Sequence, residues 1–158
     1  MRSLNVYNIP TFVKILEDII QEDGSSYICS YVASAIKMLE GDNIKIYGFS
    51  QKENPESKYF YDINEDPDEG HHFAVYNNRY IIDPWIYNNY KDYKTKKIFG
   101  RSVFDIKNPK DLPLIKYIYG NPKKWTDISN RSDKFESLFP EGATKLKKIK
   151  NKCNADFT

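Results

Sequence analysis

The sequence predicts an α+β domain, on three observations. Hydrophobic residues recur at helical spacing only as far as Gly41; from Ile44 onward they fall in short alternating or apolar runs broken by Gly, Pro, Asn or Asp. Aromatic residues make up 15% of the chain, with 13 Tyr set largely in Ile-rich stretches, which favours strands as much as helices and disfavours an all-helical bundle. A run of helices followed by a run of strands argues for α+β over alternating α/β. With 158 residues, 40% hydrophobic and 29% charged, the chain fits one soluble domain that buries a core without disulfides or metals.

Phe12, Ile15, Leu16, Ile19 and Ile20 follow Pro10 and Thr11 and stop at Asp23-Gly24, predicting an amphipathic helix over residues 11–22. Ser25 and Ser26 offer N-caps to a second helix, Tyr27 to Leu39, whose Ser30, Ala33, Ser34 and Ala35 permit close packing before Gly41 ends it. The strand candidates are IKIYGF from Ile44, KYFYDI from Lys58, HFAVY from His72 and YIID from Tyr80. Asn77-Asn78-Arg79 is a three-residue turn whose Asn residues tolerate positive φ, so residues 72–76 and 80–83 form an antiparallel hairpin. Beyond Pro84 the signal thins. Residues 87–99 are polar and Tyr-rich, VFDI at 103–106 is a further strand candidate, and DLPLIKYIYG at 111–120 reads as helix or strand. Residues 145–152 carry five lysines and no acid, the pattern of a solvated, fraying end, so the chain divides into a domain at 1–142 and a basic C-terminal tail at 143–158.

The charge balance, 24 Lys and Arg against 22 Asp and Glu, provides no global field for nucleic acid, and the lysine-rich end has no interleaved aromatic platform. No stretch approaches the roughly 18 apolar residues of a membrane span, and Glu17 and Asp18 stand where a signal peptide needs an apolar region. The expectation is therefore no membrane, no leader and no nucleic-acid partner. Cys29 and Cys153 cannot make a disulfide framework, which suits a reducing, cytoplasmic compartment.

Cys29 falls in the first turn of the second helix, where unpaired backbone N–H groups and the positive end of the macrodipole favour an anion. The bland alternative is a core cysteine on a small-residue helix face. The two histidines, His71 and His72, open the hairpin strand after Gly70; neighbours on a strand point to opposite faces, so only one of them can share a site with Cys29. Asp83 closes the returning strand near the position opposite His72, where a carboxylate would orient the imidazole. Nucleophile, base and orienter are all represented.

Cys at a helix start, then His-Phe-Ala-Val, a turn, and Tyr-Ile-Ile-Asp-Pro-Trp resembles the papain-like superfamily of cysteine peptidases, transglutaminases and bacterial glutamine deamidases. The resemblance is architectural and covers roughly residues 21–86, most sharply His72 through Trp85. It implies a papain-like fold over residues 1–142, with N-terminal helices and a nucleophile at a helix N-terminus packed on an antiparallel β-sheet. By it Cys29 is the nucleophile, His72 the general base and Asp83 the orienter; His72 is favoured over His71 because His-x-x-Val is matched by His72 and Val75. Gln21, eight residues before Cys29, is the only Gln near enough to be the family's oxyanion-hole donor, at a spacing that departs from papain's, and the backbone N–H of Cys29 is a second donor. The resemblance implies a cofactor-free cysteine hydrolase acting on an amide of a protein or peptide, as thiol peptidase, deamidase or acyl transferase. By analogy it suggests a bacterial effector or toxin-type domain, acting in the cytoplasm or secreted into a host or competitor cell.

The acids of Asn64-Glu65-Asp66-Pro67-Asp68-Glu69 form a loop before the histidines. Asp62, Asn64, Asp66 and Asp68 alternate as in a calcium loop, but Pro67 replaces the needed Gly and Val75 the closing Glu. A solvated loop is the ordinary reading, and a negative rim that selects basic protein substrates is the functional one. Zinc on Cys29, His71, His72 and Asp83 is conceivable by residue type, but adjacent strand histidines diverge. Cys153 reads as an exposed thiol. The rival to the enzyme is a non-enzymatic interaction module, using the Tyr-rich segment 87–93 and the basic tail.

Overall fold

Alternation along the central strands gives the sheet two apolar faces, and each face is covered by its own helices. The computed structural model describes residues 4–22, 24, 26–63, 68–89, 100–130 and 134–156. Among the described residues, seven α-helices and one five-stranded antiparallel sheet make an α+β fold with strand order β4-β3-β2-β1-β5. The strands are β1 (Ile44–Ser50), β2 (Gly70–Tyr76), β3 (Tyr80–Ile82), β4 (Val103–Asp105) and β5 (Thr126–Asp127).

One face, with Ile44 and Ile46 of β1, Ala74 of β2 and Ile82 of β3, packs on helices α1 (Pro10–Gln21) and α2 (Cys29–Glu40). In α1 the buried residues are Phe12, Val13, Leu16, Ile19 and Ile20, the stripe its periodicity requires. In α2 the small residues Ala33, Ser34 and Ala35 are buried with Val32 and Ile36, as close packing on β2 demands. The helix begins two residues later than its sequence suggests: Ile28 occupies the N-cap position and no side chain caps it.

The other face, with Phe49, Phe73, Val75, Ile81 and Phe104, holds an aromatic core with α3 (Lys58–Ile63), α4 (Pro84–Asn89) and α5 (Leu112–Tyr119). KYFYDI, expected as a strand, is α3. A strand would send Tyr59 and Phe60 to opposite faces, whereas one helical turn carries both, each 1% exposed, into the same cluster. The stretch left open at 111–120 is helix α5, burying Ile115, Ile118 and Tyr119.

The C-terminal residues correct the expected tail. They form α7 (Pro140–Asp156), which follows the short α6 (Phe135–Leu138) and buries Ala143, Leu146 and Lys150 at i, i+3, i+7 spacing against the first face. The lysine run conceals this stripe. Lys150, 3% exposed, lies with its Nζ 2.8 Å from Oε2 of Glu40, which also accepts the Tyr7 hydroxyl at 2.6 Å. Pairing with a carboxylate is what permits a lysine to be buried.

Residues 64–67, which include most of the calcium-like loop, and 90–99 of the Tyr-rich segment lie outside the described residues, as do the side chains of Asp62 and Cys153. No helix among the described residues is long and apolar enough to cross a membrane.

Candidate active site

The register of the hairpin determines which histidine meets Asp83. Tyr76 pairs with Tyr80 and Ala74 with Ile82, across a loop in which Asn77 and Asn78 take positive φ of 52° and 55°. Continued one step, this register brings Asp83 alongside Phe73. Residues directly opposite share a face, and so do residues two apart on one strand, so the odd-numbered members of β2 face the same side as Asp83. His71 is one of them and His72 is not. His71 Nε2 lies 2.6 Å from Asp83 Oδ2, with both side chains almost wholly buried, at 0% and 1% exposure. This corrects the assignment of His72 to the position beside Asp83: the structure brings together Cys29, His71 and Asp83.

Cys29 reaches the pair where β3 has already ended. β2 is paired with β3 only from Ala74 to Tyr76, and at the open upstream edge the His72 N–H donates to Cys29 Sγ at 3.4 Å. Cys29 is the first residue of α2 and is half-buried. The first intrahelical bond runs from Val32 N–H to Ile28 O, so the N–H groups of Cys29, Ser30 and Tyr31 stand outside the helical ladder. Tyr27, two residues before the thiol, is tied to the helix after Asp83 by the Trp85 Nε1–H, which donates to its carbonyl at 3.1 Å. This strap joins the cysteine-bearing and aspartate-bearing ends of the site.

The His71 ring is packed in an aromatic box, stacked on Phe60 at 4.6 Å and tilted against Trp85 at 4.9 Å. Burial opposes protonation of the imidazole, but the charge and hydrogen bond of Asp83, with smaller help from the Cys29 thiol, override it and raise the pKa of His71 to about 9. Nδ1 of the same ring is buried without a hydrogen-bond partner among the described residues, on a ring whose neighbours include the Cys29 thiol. Loose nucleophile–base geometry of this kind is ordinary in a site without substrate.

Tyr119 is the residue that sequence reasoning missed. Its hydroxyl donates to the same Asp83 Oδ2 at 2.7 Å, and it is fully buried. Burial, then the charge of Asp83 and the bond to it, holds the phenol protonated well above its ordinary range, so it remains a donor. Asp83 therefore receives two hydrogen bonds on one oxygen in a dry setting, which keeps a buried carboxylate satisfied. Nothing in the sequence pairs positions 83 and 119 while 111–120 is unresolved between helix and strand.

Cys29 and His71 open into a cleft of about 700 Å³ that is also lined by Gly48, Gly70, Glu53 and Asp68. Close approach of backbone requires glycine at 70, and close approach of a side chain favours it at 48. A Cβ on Gly70 would lie 1.7 Å from the Phe49 carbonyl oxygen, and one on Gly48 would lie 2.9 Å from Cδ2 of His72, whose ring occupies that neighbouring space. Gln21, expected near the thiol, is the exposed last residue of α1 and is not among the residues lining the cleft. Helix-start N–H groups, not Gln21, are the donors beside Cys29. Among the described residues no group of three His, Cys, Asp or Glu is arranged to hold a metal ion.

Comparison with protein-family models, with curated proteins and with solved structures returns no match.

Proposed function

We propose that the protein is a papain-like cysteine hydrolase that attacks an amide of a protein or peptide, with Cys29 as nucleophile, His71 as general base and acid, and Asp83 as orienter. The observation that carries this reading is the buried His71, held through Nε2 by Asp83 and adjoining the Cys29 thiol at a helix start. A cysteine in the first turn of a helix packed on an antiparallel sheet supports the family assignment.

In the forward step the proton of the thiol is held on His71 while Sγ bonds to the amide carbonyl carbon. The oxygen of the tetrahedral intermediate takes its negative charge toward the free N–H groups at the start of α2. Collapse breaks the C–N bond, and the amine or ammonia leaves with the proton from His71. Water, deprotonated by the same imidazole, then cleaves the thioester and restores the thiol. Peptidase and glutamine deamidase differ only in the leaving group, and an amine in place of water gives acyl transfer. With its pKa raised to about 9, the imidazole carries at neutral pH the proton that the leaving amine or ammonia takes.

The test is the rate of iodoacetamide labelling of Cys29 across about pH 4 to 9 in a Cys153→Ser background. Fast labelling below pH 7 should survive His72→Ala and fall by about 10²-fold or more in His71→Gln, which keeps a donor for Asp83. An ordinary thiol profile in the parent protein would refute the reading and leave an interaction module in its place.

A further inference from the structure

The carboxylate that orients His71 is itself held from a fixed point. Asp83 Oδ2 accepts the Tyr119 hydroxyl at 2.7 Å and lies 2.6 Å from His71 Nε2. The backbone around Tyr119 is fastened by polar side chains that the reaction does not use. Asn54 and Ser57, both 0% exposed, lie in the segment between β1 and α3. Asn54 Nδ2 donates to the Tyr119 carbonyl at 2.9 Å and Asn54 Oδ1 accepts the Asn121 N–H at 3.0 Å, while the Ser57 hydroxyl donates to the Ile118 carbonyl at 2.6 Å. The Trp125 Nε1–H is a second donor to the Tyr119 carbonyl, at 2.8 Å. Between these bonds α5 ends at Gly120, with φ of 67°, where a Cβ would lie 2.4 Å from Asn54 Oδ1. Two buried polar side chains and an indole therefore hold the last turn of α5 so that the phenol meets Asp83 from one direction.

Two donors on one oxygen compete. Each draws charge from Oδ2, so the phenol weakens the grip of the carboxylate on the imidazolium. Of the other groups around the ring that can carry charge, Cys29 adjoins it from α2, Glu53, Asp68 and His72 line the cleft in front, and Tyr59 of α3 acts on Tyr119. The rings of Phe60 from α3 and Trp85 from α4, packed on the imidazole, are uncharged. We propose that Tyr119 is a positioning residue: by sharing Asp83 Oδ2 with His71 it fixes the carboxylate and limits how tightly the imidazole holds its proton, so that the ring is free to take one from water when the acyl-enzyme is hydrolysed. This rests on the cysteine hydrolase reading and adds to it a residue that acts through Asp83. In that step water bonds to the thioester carbonyl carbon as its proton passes to His71; the C–S bond then breaks, the carboxylic acid leaves and the proton returns to sulfur.

The experiment acetylates Cys29 with p-nitrophenyl acetate in the full chain carrying Cys153→Ser and follows loss of the acetyl group by mass spectrometry from about pH 6 to 10. Loss should rise with pH as His71 gives up its proton. In Tyr119→Phe the midpoint of that rise should move up by about 0.5 pH unit, which makes loss at pH 7 about threefold slower. Tyr119→3-fluorotyrosine, a stronger donor of the same shape, should move the midpoint down. Tyr7→Phe, which removes the matching phenol beside Glu40, should leave it in place and so shows what a loss of stability does by itself. A midpoint unmoved in Tyr119→Phe, moved in the same direction by both changes at 119, or moved equally by Tyr7→Phe overturns the inference and leaves the hydrolase standing. Acetyl-Cys29 that is lost no faster in the parent protein than in His71→Gln refutes the hydrolase reading and the inference with it.

Discussion

Two buried carboxylates in this molecule are held in nearly the same way and differ in what lies next to them. Asp83 Oδ2 receives the Tyr119 hydroxyl at 2.7 Å and His71 Nε2 at 2.6 Å; Glu40 Oε2 receives the Tyr7 hydroxyl at 2.6 Å and Lys150 Nζ at 2.8 Å. Each set thus consists of a carboxylate, a phenol and a nitrogen base, all buried. The Glu40 set lies at the end of α2 and fastens α7 to the rest of the fold. The Asp83 set sits by the start of the same helix, where the nitrogen base has a second ring atom, a thiol beside it and a cleft in front. A buried ionic triad is therefore not in itself a sign of chemistry. A lysine directs its donors to one carboxylate and ends there, whereas an imidazole can accept on one side what it holds on the other.

The largest expected difference follows from breaking each set at its carboxylate. Asp83→Ala and Glu40→Ala should each cost about 3–5 kcal/mol in urea unfolding, because each leaves a buried nitrogen base and a buried hydroxyl without the carboxylate they share. Iodoacetamide labelling of Cys29 distinguishes them, since Glu40→Ala should leave it unchanged at permissive temperature.

The next contrast is in pH dependence. The folded pKa of His71, about 9, stands above the ordinary imidazole value of about 6.5, so its stabilisation is complete below pH 6.5 and is lost as pH rises through 9. Unfolding free energy should fall by up to about 3 kcal/mol over that window, and His71→Gln should abolish the decline while Lys150→Met should not.

Smaller effects belong to the phenols. Tyr119→Phe and Tyr7→Phe should each cost about 1–2 kcal/mol, and only Tyr119→Phe should move the titration of the His71 ring protons in NMR, upward, because Asp83 then has one donor fewer. The smallest is Cys29→Ala, a half-buried side chain at a cleft, which should change stability by less than about 1 kcal/mol. A larger loss would identify the thiol as a packing residue.

The α+β class was legible because periodicity changes at Ile44, and the hairpin because Asn77 and Asn78 announce it. Which histidine meets Asp83 was within reach of the same observation. A three-residue turn at 77–79 makes paired positions sum to an even number, so the odd residue His71, not His72, shares a face with Asp83. The match of His72 and Val75 to a family pattern points to the other histidine, but the backbone pairing decides which side chain shares a face with Asp83. Helix α3 was hidden because Tyr59 and Phe60 suit strands by propensity, and propensity yields to packing when both rings enter one core. The docking of α7 was hidden for the opposite reason: five lysines suggest solvent, and only a carboxylate more than a hundred residues away makes one of them a core residue. Tyr119 is a long-range contact of the same kind, absent from any local pattern.

The strap from Trp85 to Tyr27 has an optical consequence. An indole 4.9 Å from the His71 ring is within contact range for quenching by a protonated imidazole. With Trp125→Phe removing the second of the two tryptophans, the emission of Trp85 should report the charge of His71 directly, brightening as the ring loses its proton near pH 9. The fold thus carries, two residues after Asp83, a built-in fluorophore for the protonation state on which the proposed chemistry depends.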